Sequence, residues 1–388
     1  MVSMHSSPAA SPGAGDAGAM NVAVRATALE LARRDVQVDL LTRAVGEPRS
    51  QRLADGVVLH ELAAGPRGYL PRERLGEATD EFGEAVAAFS RSQKPDLIHA
   101  HYWRSGIATL PVALELGLPF VQSFHSLGAM RNSALGDASE PELRVRSETY
   151  LANQADAVIA ASATEVSSLI DQVGAPAGRV WVVPPGVDAE LFSPARAIAE
   201  SVVRGHLGID AERPIVVMAG RVQPLKAQEL AVQAIASIEG ERPVLVIAGE
   251  VQPGAERYAE QVQLAAGNDV LFVGALEREE LADLFAAAAL TLLPSRSETF
   301  GLVALESAAS GTPVLASAAA GRTGAVSAGE SGVLLGTRDP AEWGRAISAL
   351  LGDPMLLGEL SASARGHALN FSWGTSAAGL LGIYASLL

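Results

Sequence analysis

The sequence predicts an α/β protein with two domains, each built around a mainly parallel β-sheet. Short apolar runs alternate with amphipathic segments along the whole chain, a pattern typical of parallel sheets that helices cover on both faces. At 388 residues the chain is longer than one ordinary hydrophobic core requires. A Pro- and Gly-containing break at 184–188, followed by a Ser-Pro step at 193–194, interrupts the alternation. We therefore expect one domain over 1–190, a second over 191–360 and a helical C-terminal segment over 361–388.

The positions of the elements follow from hydrophobic periodicity. Strands are predicted at 36–41, 97–99, 119–123 and 157–160, and helices at 20–33, 74–90 and 142–154. A second series of strands is predicted at 215–219, 244–248, 271–273, 290–293 and 314–316. The first residues resemble the tail of a strand, so the chain as written is expected to begin inside that strand. A loop rich in Pro and Gly follows at 7–18.

Composition excludes several classes of function. A net charge of −15 and a pI near 5.0 argue against nucleic-acid binding, so any anion site must be local. The chain has no cysteine, which excludes disulfides and thiol chemistry. No apolar run reaches the roughly 18 to 20 residues that span a bilayer. These observations predict a soluble, cytoplasmic protein without a transmembrane segment.

Two glutamates bracket seven residues where a predicted strand passes through a glycine into a helix. Glu298 stands before the turn and Glu306 lies two turns into the helix. A glycine at this turn lets the backbone N–H groups of Phe300, Gly301 and Leu302 approach an anion, and the helix dipole adds positive charge. The segment is therefore a candidate site for a nucleotide sugar.

Two cations follow another predicted strand upstream. Arg221 and Lys226 come directly after the run 215–220, and Lys226 is one of only two lysines in the chain. A compact ammonium suits a point contact on phosphate. Taken alone, both side chains could be solvated loop cations, and their combination with the two glutamates is what favours a phosphate site.

The two motifs together resemble the retaining glycosyltransferases of family 4, which have the GT-B fold. That resemblance implies two Rossmann-like domains facing across a cleft, with a last helix that crosses back to the N-terminal domain. It also implies that Arg221 and Lys226 neutralise the donor diphosphate, that Glu298 meets sugar hydroxyls and that Glu306 takes the ribose hydroxyls. A further resemblance, carried by the loop 5–21 and by 99–106, 125–132 and 140–144, is to the D-inositol-3-phosphate glycosyltransferases.

This closer resemblance implies a set of site residues. It implies acceptor contacts from His5, Asp16, Ala17, Gly18, Ala19, Met20, Asn21, Arg72, Tyr102, Ser126 and Arg144. It implies donor contacts from Ser11, Pro12, Ala19, Arg221, Lys226, Leu276, Glu298, Phe300, Gly301, Leu302 and Glu306. The expected catalytic residues are Lys226, Arg221, Glu298 and His125. Two arginines, a phenol and a hydroxyl make a plausible phosphate cage.

Several of these residues also have a purely structural explanation. The Gly-rich loop could be a flexible linker, Tyr102 could cap a core, and Arg144 could belong to a solvated helix face. Several positions also depart from the family pattern: Ala19 replaces a glycine, Arg72 a lysine, Ser126 a threonine, Ser11 a glutamine and Leu276 an arginine. An alanine at position 19 either is tolerated or crowds the donor.

The resemblance implies transfer of N-acetylglucosamine from UDP-N-acetylglucosamine to 1D-myo-inositol 3-phosphate, the first step of mycothiol synthesis. The expected partners are thus a nucleotide-sugar donor and a phosphorylated small-molecule acceptor, and a homodimer is left open. No cofactor is required for transfer, although the resemblance implies a Mg²⁺ site near Phe285, Ala286, Ala288 and Thr312. The alternatives are another family 4 transferase, with a different nucleotide sugar and a lipid, glycan or small-molecule acceptor, and a non-catalytic nucleotide-sugar sensor.

Overall fold

The computed structural model describes residues 1–10, 17–71, 73–136, 140–321 and 324–388. The described chain forms two compact units. The first contains the residues up to Pro184 together with Trp373–Leu388, and the second contains Pro185–Ser372. The domain limits drawn from the sequence, 190/191 and 360/361, stay predictions.

The first unit is built around one mixed sheet. Its strands are β1 Val38–Arg43, β2 Arg49–Ala54, β3 Val57–Leu62, β4 Ile98–His101, β5 Phe120–Ser123, β6 Ala157–Ala160 and β7 Val180–Val182. Its first six helices are α1 Ala19–Ala32, α2 Thr79–Gln93, α3 Trp103–Leu116, α4 Gly128–Leu135, α5 Glu142–Gln154 and α6 Ala163–Ser168. A π-helical turn, Leu169–Val173, continues α6, and single 3₁₀ turns lie at Leu75–Ala78 and Ala177–Arg179.

The N-terminal residues complete this sheet. The strands run in the orders β1-β3-β2 and β4-β5-β6-β7, and Val2 bridges Leu41 on one side and Ala100 on the other, both in parallel. The predicted strand tail is therefore confirmed. Only β2 is antiparallel to its neighbour, β3. Because parallel strands end at the same edge, the segments that follow β1, β4, β5 and β6 lie together at one side of the sheet.

The second unit has a six-stranded parallel sheet. Its strands are β8 Ile215–Ala219, β9 Val244–Ala248, β10 Val270–Gly274, β11 Leu290–Leu293, β12 Val314–Ser317 and β13 Gly332–Leu335. Its helices are a 3₁₀ segment, Pro194–Ala199, then α7 Glu200–Leu207, α8 Gln228–Ala236, α9 Glu256–Ala265, α10 Arg278–Ala287, α11 Leu302–Ala309, α12 Ala318–Gly321, α13 Pro340–Leu351 and α14 Pro354–Ala368. The strand order is β10-β9-β8-β11-β12-β13. This order reverses beside β8, where ligands of open α/β sheets bind.

The last helix, α15 Trp373–Leu387, packs against α1 in the first unit. Its Tyr384 hydroxyl lies 2.5 Å from Nδ1 of His99, a buried residue of β4. The segment 361–388 is therefore two helices, the end of α14 and the whole of α15. Among the helices of the described residues, none is long and apolar enough to cross a membrane.

Candidate functional site

The basic and acidic motifs of the second unit meet in the structure. Nζ of Lys226 donates to Oε1 of Glu298 at 2.5 Å, and the Ser295 hydroxyl donates to the same oxygen at 2.8 Å. Lys226 lies in the loop after β8 and Glu298 in the loop after β11, and these strands are neighbours in the sheet. Sheet topology thus places a cation and a carboxylate at one edge, although they are far apart in sequence.

The loop that carries Arg221 touches the loop after β9. The backbone N–H of Gly220 donates to the Ala248 carbonyl, and that of Val222 donates to the Glu250 carbonyl. A Cβ atom at Gly249, whose φ is 144°, would lie 2.2 Å from the Gly220 carbonyl oxygen. Only glycine permits this approach, so Gly249 sets the path of the chain just before Arg221.

The second acidic residue sits in a different ion pair. Glu306 lies on α11 with 3% of its surface exposed and accepts a hydrogen bond from Nη1 of Arg278 at 2.9 Å. Burial raises the pKa of Glu306, and the Arg278 charge opposes that shift. Arg278 begins α10 and its guanidinium lies 4.9 Å from the Phe192 ring centroid. Sequence reasoning missed Arg278, although it lies just beyond Leu276, where the family expects an arginine.

Gly301 forms the turn that the sequence predicts before α11. Its φ of 97° lies in the left-handed region, and α11 begins at the next residue, Leu302. The first-turn N–H groups and the positive end of the helix dipole therefore face the loop that carries Glu298. The Phe300 side chain is buried and packs against Phe371, with ring centroids 5.8 Å apart.

The residues implied as a magnesium site do approach one another. The Thr312 hydroxyl donates to the Phe285 carbonyl at 2.6 Å and lies 3.3 Å from the Ala288 carbonyl; Ala286 is part of the same helix end. These oxygens are all neutral, whereas Mg²⁺ prefers one or two carboxylates together with water. Across the described part of the chain, no group of three or more His, Cys, Asp or Glu residues could hold a metal. This set of neutral oxygens therefore fits Mg²⁺ poorly.

In the first unit, backbone strain marks the ends of β4 and β5. Tyr102 follows β4 with φ 74° and His125 follows β5 with φ 60°. Such angles cost a non-glycine residue about 1–3 kcal/mol and concentrate at functional sites. The Tyr102 ring lies 4.4 Å from the His5 ring, centroid to centroid. Predicted acceptor residues from two distant segments are thus adjacent.

Arg144 and Ser126 also belong to this cluster. Nη2 of Arg144 donates to the Ser126 hydroxyl at 2.9 Å, and the guanidinium lies 5.2 Å from the Tyr102 ring centroid. Arg144 is only 4% exposed, so it is not part of a solvated face. It pairs with Glu140 at 2.8 Å and with Glu148 at 2.7 Å. Sequence reasoning missed these two carboxylates as partners of Arg144.

His125 is held by a second histidine. Its Nε2 lies 2.9 Å from Nδ1 of His101, the last residue of β4, and His101 stacks near His99 with ring centroids 4.2 Å apart. Burial lowers the pKa of His125 to about 4 and those of His99 and His101 well below the ordinary value. His125 is therefore neutral at neutral pH and suits hydrogen bonding rather than charge stabilisation.

Asn21 organises the loop before α1. Its amide nitrogen donates to the Ser6 hydroxyl and the Ser7 carbonyl, both at 2.7 Å, and its oxygen accepts from the Gly18 N–H at 2.9 Å. Because Asn21 is 1% exposed, its buried side chain links residues 6 and 7 to the start of α1. Ala17 is buried as well, whereas Met20 is partly exposed.

Ala19 occupies an ordinary helical position. It is the first residue of α1 and is exposed. Positive φ angles among the described non-glycine residues occur at Asp35, Lys94, Tyr102, His125 and Ala227. The backbone at position 19 therefore does not require glycine. Four other predicted contacts, Ser11, Pro12, Asp16 and Arg72, lie outside the described residues.

Comparison with known proteins gives the class of protein to which the chain belongs. Residues 18–186 match the family model described as Glycosyl transferase 4-like domain, and residues 201–367 match Glycosyl transferases group 1. The structure of sucrose-phosphate synthase from Thermosynechococcus elongatus superimposes with a TM-score of 0.91 at 32% identity, covering 100% of this chain and 98% of that one. Anabaena HepE in complex with UDP and glucose shares the fold, with a TM-score of 0.80 at 20% identity, 100% of this chain and 98% of that one. Fold and site together define a glycosyltransferase.

Curated relatives identify the family more specifically. The chain is 39% identical to D-inositol 3-phosphate glycosyltransferase from Acidothermus cellulolyticus, over 100% of this chain and 90% of the relative. It is 38% identical to the enzyme of the same name from Gordonia bronchialis, over 99% of this chain and 87% of the relative. The chain therefore belongs to the GT-B glycosyltransferases of family 4, together with these D-inositol 3-phosphate glycosyltransferases. The predicted fold class and the predicted enzyme class are confirmed.

Proposed function

We propose that the protein transfers N-acetylglucosamine from UDP-N-acetylglucosamine to 1D-myo-inositol 3-phosphate, with retention of configuration, as the first step of mycothiol synthesis. The observation that carries this proposal is full-length identity of 38–39% to relatives named for that acceptor. A cytoplasmic location is part of the proposal, which is compatible with either a monomer or a homodimer.

The proposed donor site uses the charges of the second unit. Arg221 and Lys226 would neutralise the diphosphate, with help from the N-terminus of α11. Glu298 would accept hydrogen bonds from sugar hydroxyls, and Glu306 from the ribose. The Lys226–Glu298 pair suits this arrangement, because a donor offers an anion to the lysine and hydroxyls to the glutamate. Each partner would then gain a new hydrogen-bonding group as the two separate.

The proposed acceptor site uses the cluster of the first unit. Tyr102, Ser126 and Arg144 would contact the acceptor phosphate with Arg72. Within the described residues Arg144 is already balanced, because it and Arg131 share the carboxylates Glu140 and Glu148. Arg72, which the family resemblance implies as an acceptor contact, would supply additional positive charge for a phosphate dianion.

Retention would follow from attack on the face that the diphosphate leaves. A retaining glycosidase uses a close pair of carboxylates and a covalent intermediate, whereas each of the two motif glutamates here is bound to its own cation. The acceptor hydroxyl would form the new bond to the anomeric carbon as the bond to UDP breaks. Its proton would pass to the departing phosphate oxygen. Arg221, Lys226 and the helix N-terminus would stabilise the charge that develops there.

Release of UDP from UDP-N-acetylglucosamine tests the proposal. We expect release to depend on added 1D-myo-inositol 3-phosphate and to stay at background with unphosphorylated myo-inositol. The product should keep the anomeric configuration of the donor in its NMR spectrum. Hydrolysis that the acceptor does not stimulate would retain the donor but contradict the proposed acceptor.

A second candidate is transfer to another sugar phosphate. Its support is the match to sucrose-phosphate synthase, since that name and the name of the curated relatives both contain a phosphorylated polyhydroxyl compound. The matching assay pairs UDP-glucose with fructose 6-phosphate. Turnover with this pair above that with UDP-N-acetylglucosamine and inositol phosphate would favour the second candidate.

A further inference from the structure

Glu306 has an unusual electrostatic setting for a group proposed to bind ribose hydroxyls. A carboxylate accepts hydrogen bonds from two vicinal hydroxyls well only while it is ionised. Glu306 is 3% exposed, and burial favours its protonated, neutral form. Some neighbouring group must therefore keep the charge in place if the site is to recognise ribose.

Arg278 is the group in position to do so. Its Nη1 donates to Oε1 of Glu306 at 2.9 Å, and its charge acts against the effect of burial on the pKa of Glu306. The guanidinium is itself confined, because it is 23% exposed and lies 4.9 Å from the Phe192 ring centroid. The pair is therefore fixed from both sides.

The other charged groups on the elements around α11 do not replace Arg278. On α10, Asp283 is paired with Arg196 at 2.6 Å. On α14, Arg365 donates to the carbonyls of Phe192 and Ala309. The strands β11 and β12 carry no titratable residue. Asp188, in the connection before α7, raises the pKa of Glu306 further.

We propose that Arg278 is a positioning residue for ribose recognition: it binds Oε1 of Glu306 and sets a positive charge against this carboxylate, so that Oε2 serves the sugar hydroxyls. This inference rests on the proposed function, because it takes UDP as the nucleotide and Glu306 as its ribose contact. It also gives Arg278 a role in a segment where Leu276 replaces the arginine usual in the family. Arg278 supports the ribose contact through a carboxylate and need not touch the nucleotide.

Binding of two nucleotides to the full-length protein tests this inference. UDP and 2′,3′-dideoxy-UDP differ only in the ribose hydroxyls, so the ratio of their affinities measures ribose recognition. In the wild-type protein, calorimetry at pH 7.5 should give a ratio of at least about 10-fold in favour of UDP, the effect of a hydrogen bond to a charged group. Arg278→Gln should lower UDP affinity by about the same factor and leave the affinity for dideoxy-UDP nearly unchanged.

Two further readouts separate positioning from a structural role. Arg278→Lys keeps the charge and should restore part of the ratio. In Arg278→Gln, the ratio should increase with pH, because the Arg278 charge no longer opposes the effect of burial on the pKa of Glu306. Arg345→Gln, at an exposed position of α13, is the matched control and should behave as the wild type.

The outcomes distinguish this inference from the proposed function. An unchanged ratio in Arg278→Gln, or an equal loss of both nucleotides, overturns the positioning role while leaving UDP as the donor nucleotide. A wild-type protein that binds both nucleotides equally overturns the ribose contact and the role of Arg278 with it. A wild-type protein that binds neither overturns the proposed donor as well.

Discussion

Lys226 and Glu298, which we propose as donor contacts, form an ion pair with one another in the second unit. The ammonium and the carboxylate are 2.5 Å apart and partly buried, with 19% and 10% of their side chains exposed. Low exposure strengthens their attraction and also any attraction to a substrate that replaces it. In the proposed reaction, the donor diphosphate would replace Glu298 as the partner of Lys226, and the sugar hydroxyls would replace Lys226 as the partners of Glu298.

We expect Lys226→Ala to lower kcat at least about 100-fold, the usual effect of removing one charge contact from a transition state. The loss should exceed the effect on acceptor KM, because the lysine is proposed to act on the donor diphosphate. Steady-state UDP release measures both parameters. Lys94→Ala is the control, since Lys94 is the other lysine and is exposed at the end of α2. Activity within a few-fold of wild type in Lys226→Ala would contradict the role.

At the scale of elements, the loops after β8 and β9 depend on one glycine. Gly249→Ala would place a methyl group against the Gly220 carbonyl, where the contact of 2.2 Å and the φ of 144° leave no room for a side chain. The loop carrying Arg221 must then shift. We expect the affinity for UDP to fall at least about 10-fold, or the second unit to lose stability.

Gly267→Ala provides the matched control, because an added Cβ meets nothing within 4 Å and the backbone there needs no left-handed angle. Calorimetric titration with UDP and a thermal melt of each variant separate loss of affinity from loss of fold. If Gly249→Ala binds UDP and melts as Gly267→Ala does, the close approach of the two loops is contradicted.

Most of the buried strands and one key turn could be predicted from the sequence. The buried strands β8, β9, β11 and β12 follow from continuous apolar runs, and the turn at Gly301 follows from its glycine. The hairpin of β2 and β3 was missed, because β2 reads Arg-Ser-Gln-Arg-Leu-Ala and is mostly exposed at an edge of the sheet. A polar edge strand carries no hydrophobic alternation to detect.

Side-chain partners were harder to predict than elements. The motifs indicated Lys226 and Glu298, but that they pair with one another follows only from the adjacency of β8 and β11. The Glu148–Arg144 pair has the i,i+4 spacing of a helix and could have been predicted from the sequence. Arg278 is an ordinary helical charge in the sequence, and only the packing of α10 against α11 brings it to Glu306. Contacts between side chains on different elements depend on tertiary geometry. That geometry cannot be inferred from the periodicity of a single sequence.

At the scale of the whole molecule, the first unit buries several bases in their neutral forms. The pKa values of His99 and His101 are lowered well below the ordinary value, that of His125 to about 4, and that of the Met1 amino group to about 6, all mainly by burial. Two carboxyls oppose them, since burial raises the pKa of Glu165 to about 7 and also raises that of Glu148. The first unit is therefore expected to respond strongly to acid.

We expect the first unit to lose stability as pH falls from 7.5 to 5.5. A base with a lowered pKa is neutral in the folded state, so the unfolded chain gains its proton first as pH falls through about 6.5, the ordinary value for histidine. Glu165 acts in the opposite direction, because the folded state takes up its proton from about pH 7. Three imidazoles against two carboxyls leave the unfolded chain with more protons. The expected slope is on the order of 2 kcal/mol per pH unit, since each proton contributes about 1.4 kcal/mol.

Differential scanning calorimetry of the full chain between these pH values measures the effect, and a saturating concentration of UDP should identify the transition of the second unit by raising it. His101→Asn removes one buried base from the first unit. The melting temperature of the first unit should then depend less on pH, even if the variant is less stable overall. His206→Asn, at an exposed position of α7, is the control and should leave the slope unchanged because this side chain lies outside the buried histidine cluster. A melting temperature that does not fall between pH 7.5 and 5.5 would mean that these histidines are not held neutral, and His125 would then be available as a charged group at the end of β5.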